Sequence, residues 1–230
     1  MSAVSASLDV VVLASGRGSN LRSILAACAA GTCSARVVAV VSDKPDAPAL
    51  ALAAEHRIAT VVVALNGKSD RAAWDERLAA AVAHCFEPHD AQRLVVLAGF
   101  MRIVGPAMLA RFPYCMVNVH PALLPSFKGS DGPAQALAAG VRITGCTVHV
   151  VDAGVDTGAV LAQAAVRVEP GDDVASLHAR IQRAEHALLP AVIDAIARGT
   201  IVLGAAPQVS ATPNGSATSA LDVLYAPALR

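Results

Sequence analysis

Asn118-Val-His120-Pro-Ala-Leu-Leu-Pro125 follows an apolar run at residues 115–117 and sets a carboxamide and an imidazole two residues apart. On an extended strand that spacing puts both side chains on one face. An amide donor beside an imidazole suits a reaction in which an oxyanion develops and a proton must move. Pro121 and Pro125 would fix the loop that leaves the strand. The plainer reading, a polar strand end packed under a loop, stays open on residue types alone. Asp156, in the turn Gly154-Val-Asp-Thr-Gly158, is a third candidate. A carboxylate beside an imidazole orients the ring and favours its charged form. Nothing in the spacing proves that residues 120 and 156 meet.

A second cluster is Ser15-Gly-Arg-Gly-Ser-Asn-Leu21. It lies between a β-branched apolar run and a segment with helical spacing. A strand-to-helix corner presents unpaired N–H groups and the positive end of a helix dipole. Gly16 and Gly18 would let backbone approach an anion, and Ser19 adds a hydroxyl donor. No Lys-Ser/Thr pair follows, and Leu21 stands where a dinucleotide loop has Gly or Ala. The loop therefore favours a phosphate monoester over a dinucleotide, with a simple glycine turn as the alternative.

These residues need strands and helices to hold them. Short buried strands (DVVVLAS, ARVVAVVSD, ATVVVAL, RLVVLAGF, CMVNVH) alternate with helical segments (LRSILAACAAG, DAPALALAAEHR, SDRAAWDERLAAAVAHC, GPAMLARF). That alternation predicts βαβ units and an α/β fold with a doubly wound, mostly parallel sheet. Ser69 or Asp70 would cap the third helix. Open sheets of this kind bind ligands at the carboxyl ends of their strands. After residue 140 the strands TGCTVHVVD and AVLAQAAVRV, joined by AGVDTG, predict a C-terminal antiparallel hairpin. A long helix follows from residue 172, distorted near Pro190. From about Ala205 the chain is rich in Ala, Pro, Ser, Thr and Gly, so residues 1–204 read as one domain and 205–230 as a flexible tail.

The 230 residues are 55% hydrophobic and carry zero formal net charge. No Lys/Arg run is present, which argues against a nucleic-acid partner bound through a bulk basic surface. The five cysteines are odd in number and form no CxxC, so they read as reduced residues of an intracellular chain, not as a zinc site. The N-terminus lacks the basic region of a signal peptide, and no apolar run reaches the roughly 18–20 residues that span a bilayer. A soluble, cytoplasmic protein without a membrane partner is expected.

The segments VVLASGRGSNL, VVLAGFMRIVGP, NVHPALLPSFKG, GCTVHVVDAGVDTGAVLAQ and RIQRAEHALLP resemble, in order, the motifs of the phosphoribosylglycinamide formyltransferase family. The resemblance implies a Rossmann-like formyltransferase fold. It implies transfer of the formyl group of 10-formyltetrahydrofolate, the co-substrate, to the amine of N1-(5-phosphoribosyl)glycinamide in purine biosynthesis. It further implies catalytic roles for Asn118, His120 and Asp156. Gly18, Ser19 and Asn20 would hold the phosphate. Gln182, Arg183, Ala184 and Glu185 would contact the ribonucleotide, with Glu185 as a partner of its amine. The formylfolate would meet Arg71, the segment Met101, Arg102, Ile103 and Val104, Asn118, and the loop Asp152, Ala153, Gly154, Val155 and Asp156.

No metal is implied; the partners would be small-molecule substrates, and the chain a monomer or weak homodimer. Without the resemblance, Arg71 reads as a solvated helix charge, residues 101–104 as a strand end, and Glu185 as an ordinary helix position. Pro133 departs from the family pattern, where a His often stands, and the tail after about residue 205 is not covered. Two rivals remain: a 10-formyltetrahydrofolate hydrolase using the same trio on water, and a non-catalytic Rossmann-type nucleotide-binding module.

Overall fold

A computed structural model describes residues 8–65, 71–87, 91–204, 208–209 and 223–224. The order along the chain is β1 (Leu8–Leu13), α1 (Ser19–Ala29), β2 (Ala35–Ser42), α2 (Pro48–Glu55), β3 (Ala59–Val62), α3 (Arg71–Cys85), β4 (Gln92–Leu97), α4 (Pro106–Arg111), β5 (Met116–His120), α5 (Gly132–Ala138), β6 (Ile143–Val150), β7 (Val160–Arg167), α6 (Val174–Ala197), β8 (Ile201–Val202), β9 (Gln208–Val209) and β10 (Val223–Leu224). The main sheet has the order β10-β7-β6-β5-β4-β1-β2-β3. β3, β2, β1, β4 and β5 run parallel, while β6 returns antiparallel to β5 and forms the predicted hairpin with β7.

All six residues of β1 are buried, as a central strand covered on both faces requires. One face packs under α1, α2 and α6, the other under α3 and α4, which divides the apolar interior into two clusters. Trp74, Leu78 and Val82 recur at helical spacing on α3 and are wholly buried. The Trp74 ring stacks on Phe100 at 6.3 Å, and its Nε1–H donates to the Val63 carbonyl at 2.8 Å. Each such side chain contributes about 1.5–3 kcal/mol through its removal from water.

Several boundaries differ from the sequence expectation. α1 begins at Ser19, because Gly18 at φ 76 serves as N-cap and lets the helix start two residues earlier. The stretch around Pro133, assigned to no element from the sequence, contains α5, with Pro133 in its first turn where the missing N–H costs nothing. α6 continues through the buried Pro190, its start fixed by a reciprocal Asp173–Ser176 capping box. The expected cap at Ser69 or Asp70 lies outside the described residues. So does most of the 205–230 tail; of it, 208–209 pairs with β8 and 223–224 with β7. Among the described residues no helix is long and apolar enough to cross a membrane.

Candidate active site

The chain leaves β1 toward β2 on one side and later enters β4 on the other, so β1 and β4 flank the sheet's topological switch point. The two loops that open there are tied together. The Ser15 N–H donates to the Gly99 carbonyl at 3.1 Å, and the Met101 N–H to Ser15 Oγ at 2.8 Å.

On the first loop, Gly18 is required twice: its φ of 76 favours glycine, and a Cβ there would lie 3.0 Å from Ala49 Cα of α2. The first turn of α1 has no side-chain cap, so its N–H groups are presented outward. Asn20, only 7% exposed, donates from Nδ2 to Glu185 Oε2 at 3.0 Å, and its Oδ1 has no partner among the described residues. Burial pushes the Glu185 carboxyl up to about 7, against the Asn20 hydrogen bond that favours its charged form. The structure thus joins two of the predicted substrate residues across the chain. Of the others on α6, Gln182 is half-buried, Arg183 is exposed, and Ala184 belongs to the core behind the helix.

On the second loop, Met101 is 72% and Ile103 57% exposed, while Val104 is buried. Every turn of this loop is held. Arg102 Nε donates to Asp43 Oδ2 at 2.7 Å, and Arg71 donates to the Ile103 carbonyl. Asp75, one turn after Arg71 on α3, accepts the N–H groups of Gly105 at 2.6 Å and Ala107 at 2.7 Å. It therefore caps α4 from a neighbouring helix. Asp43 and Asp75 were not legible as site residues, and Ser15 was legible only as the start of the glycine loop, because their partners lie far along the chain.

At the end of β5 the expected trio meets. His120 Nδ1 lies 3.3 Å from Asp156 Oδ2, and the same oxygen accepts the Gly129 N–H at 2.8 Å. His120 Nε2 donates to the Phe127 carbonyl at 2.8 Å. Both ring nitrogens face oxygen acceptors, which an imidazolium satisfies with two N–H groups. Asp156 and Phe127, on either side of that ring, both have positive φ, 52 and 57. Such backbone is uncommon for non-glycine residues and clusters at functional sites.

His149 joins the trio and was missed from sequence. It stands opposite Asn118 in the β5–β6 ladder. Its Nδ1 donates to the Val150 carbonyl at 3.0 Å, which leaves Nε2 to accept from Asn118 Nδ2 at 3.1 Å; Asp156 Oδ1 is 3.5 Å from the same nitrogen. Burial holds the His149 imidazole below its ordinary range, so the neutral ring that can accept this bond is favoured. The signal was present: aligning CMVNVH antiparallel to TVHVVD pairs the two residues. On the following loop, Asp152 accepts from Gly154 N–H at 3.1 Å and from the Thr157 hydroxyl at 2.6 Å, which shapes the exposed turn before Asp156.

Residues 8–193 match the formyl transferase family. The chain is 51% identical over 201 residues to a phosphoribosylglycinamide formyltransferase of Mycobacterium tuberculosis, covering 87% of this chain and 90% of that one. A crystal structure of glycinamide ribonucleotide transformylase 1 from Symbiobacterium toebii superposes with a TM-score of 0.81 at 40% identity, over 86% of this chain and 92% of that one. A formyltetrahydrofolate deformylase from Pseudomonas syringae shares the fold alone, at 23% identity and a TM-score of 0.77, over 86% of this chain and 64% of that one. With its glycine loop at the N-terminus of α1, its Asn118–His120–Asp156 cluster and these likenesses, the chain belongs to the phosphoribosylglycinamide formyltransferases of the formyl transferase family.

Proposed function

We propose that this chain transfers the formyl group of 10-formyltetrahydrofolate to the amine of N1-(5-phosphoribosyl)glycinamide, as a cytoplasmic enzyme acting on small molecules. The observation that carries the reading is the cluster at the end of β5, in which Asp156 lies 3.3 Å from His120 and 3.5 Å from His149, and His149 lies 3.1 Å from Asn118. The free state of all five cysteines supports a reducing compartment.

The ribonucleotide phosphate sits on the uncapped N–H groups of α1, beside Gly18, Ser19 and Asn20. The exposed Met101 and Ile103, with Arg71 beside them, fit a flat heteroaromatic ring carrying an anionic tail. The folate supplies the formyl group. One N–H of the Asn118 amide is held by His149, which aims the other at the oxygen that becomes negative when the amine attacks the formyl carbon. His120 donates a proton or a hydrogen bond at the same centre, once Nε2 exchanges the Phe127 carbonyl for substrate. Asp156 keeps His120 oriented, and helps route the amine proton toward the departing nitrogen.

The test is consumption of 10-formyltetrahydrofolate by the purified protein with and without the ribonucleotide. Formylated ribonucleotide should appear in step with folate loss, and only when both are present. Formate release without ribonucleotide would mean that water is the acceptor and the reading is wrong.

A further inference from the structure

Two hydrogen bonds fix how α6 lies against α1. Asn20 Nδ2 meets Glu185 Oε2 at the start of α1, and the Ser34 N–H meets Asp194 Oδ1 at 2.8 Å just past its end. The helices therefore run side by side in the same direction, with Glu185 level with the first turn of α1. Yet α6 begins at Val174. At 1.5 Å per residue, about 16 Å of it projects past the N-terminus of α1, over the phosphate loop.

The residue two turns before Glu185 on that face is His178, and Gln182 lies between them. Leu177 and Ile181, on the adjoining face, are fully buried in the core, which leaves the half-buried His178 toward the loop. The Arg17 charge reaches its imidazole and, after burial, helps press it below its ordinary range. Arg180, the next cation on α6, is already engaged by Asp172 at 2.7 Å. Among the described residues Arg17 has no ion-pair partner. The Arg17 guanidinium and the imidazole N–H of His178 thus face one small region, together with the uncapped N–H groups of α1. An anion relieves that arrangement.

We propose that His178 and Arg17 form the outer wall of the phosphate site, with the imidazole donating to the phosphate monoester from the overhang of α6. The proposal rests on the ribonucleotide reading above and adds two residues to it. The experiment is calorimetric binding of N1-(5-phosphoribosyl)glycinamide and of its dephosphorylated riboside to the parent, His178→Ala, His178→Gln and Arg17→Ala. Loss of a hydrogen bond to a charged group weakens binding by roughly tenfold to a hundredfold. His178→Ala and Arg17→Ala should each lose that much for the ribonucleotide and nothing for the riboside. His178→Gln, which keeps one N–H donor, should fall between. Equal losses for both ligands would make the effect one of helix packing, and no loss would put the imidazole out of reach; either overturns the proposal. A parent with no preference for the ribonucleotide over the riboside would overturn the phosphate site and this proposal together. A parent that formylates the ribonucleotide, with His178 variants that bind it normally, overturns this proposal alone.

Discussion

At the scale of single residues, protonation decides what the site can do. The Asn118 amide is useful only if it is aimed, and His149 aims it by accepting one of its N–H groups. His149→Leu keeps the volume and removes the acceptor. Turnover should fall roughly tenfold to a hundredfold, less than the roughly 10²–10³ expected for loss of the donor itself. Affinity for both substrates should stay, and a matched rise in both KM values with unchanged kcat would refute the positioning role. Glu185 carries a different consequence. Its folded-state carboxyl is raised to about 7 from 4.5, so between those values the folded chain holds a proton that the unfolded chain has released. The stability it contributes is fully present below pH 4.5 and is lost as pH rises to about 7. Each unit of that shift corresponds to about 1.4 kcal/mol. Glu185→Gln is neutral throughout, so its melting temperature relative to the parent should improve steadily across that window. A difference that is flat with pH would mean that Glu185 is ionised in the folded protein.

At the scale of elements, α3 acts as a bracket for the loop after β4. Arg71 and Asp75 stand one turn apart; one binds the Ile103 carbonyl and the other caps α4. The loop between them carries the exposed Met101 and Ile103. Asp75→Ala leaves buried N–H groups unsatisfied and should cost about 1–3 kcal/mol in unfolding free energy. It should also raise KM for 10-formyltetrahydrofolate while KM for the ribonucleotide holds. Gly105→Ala should act in the same direction, because a Cβ there would lie 2.5 Å from Asp75 Oδ2. Equal changes in both KM values would show that α4 merely loosens the whole fold. None of this bracket was legible in the sequence. Asp75 reads as a solvent-facing helix charge, yet it is buried because its donors arrive 30 residues later on another element. α5 was missed for a local reason: Gly132-Pro133 is loop punctuation and also a helix start. Asn118 and His120 were legible, since strand alternation puts them on one face without help from the rest of the chain. Their meeting with Asp156 was not, because the length and register of the β6–β7 hairpin determine it.

At the scale of the whole molecule, the strand pattern was the most legible feature. β1, β2 and β4 are buried over most of their length, and burial on both faces writes itself as uninterrupted Val, Leu and Ala. The strand order was not written that way, and it places β1 and β4 side by side with the loops that follow them cross-tied. The Asn20–Glu185 bond spans 165 positions of the chain. During synthesis at roughly 5–20 residues per second, α1 therefore waits on the order of 8–33 s for the residue that meets its first turn. Until then the polar end of α1 is left to water, and a ribosome-bound chain that stops short of α6 carries the first strand, the first helix and the glycine loop without the carboxyl that the Asn20 amide meets in the finished fold.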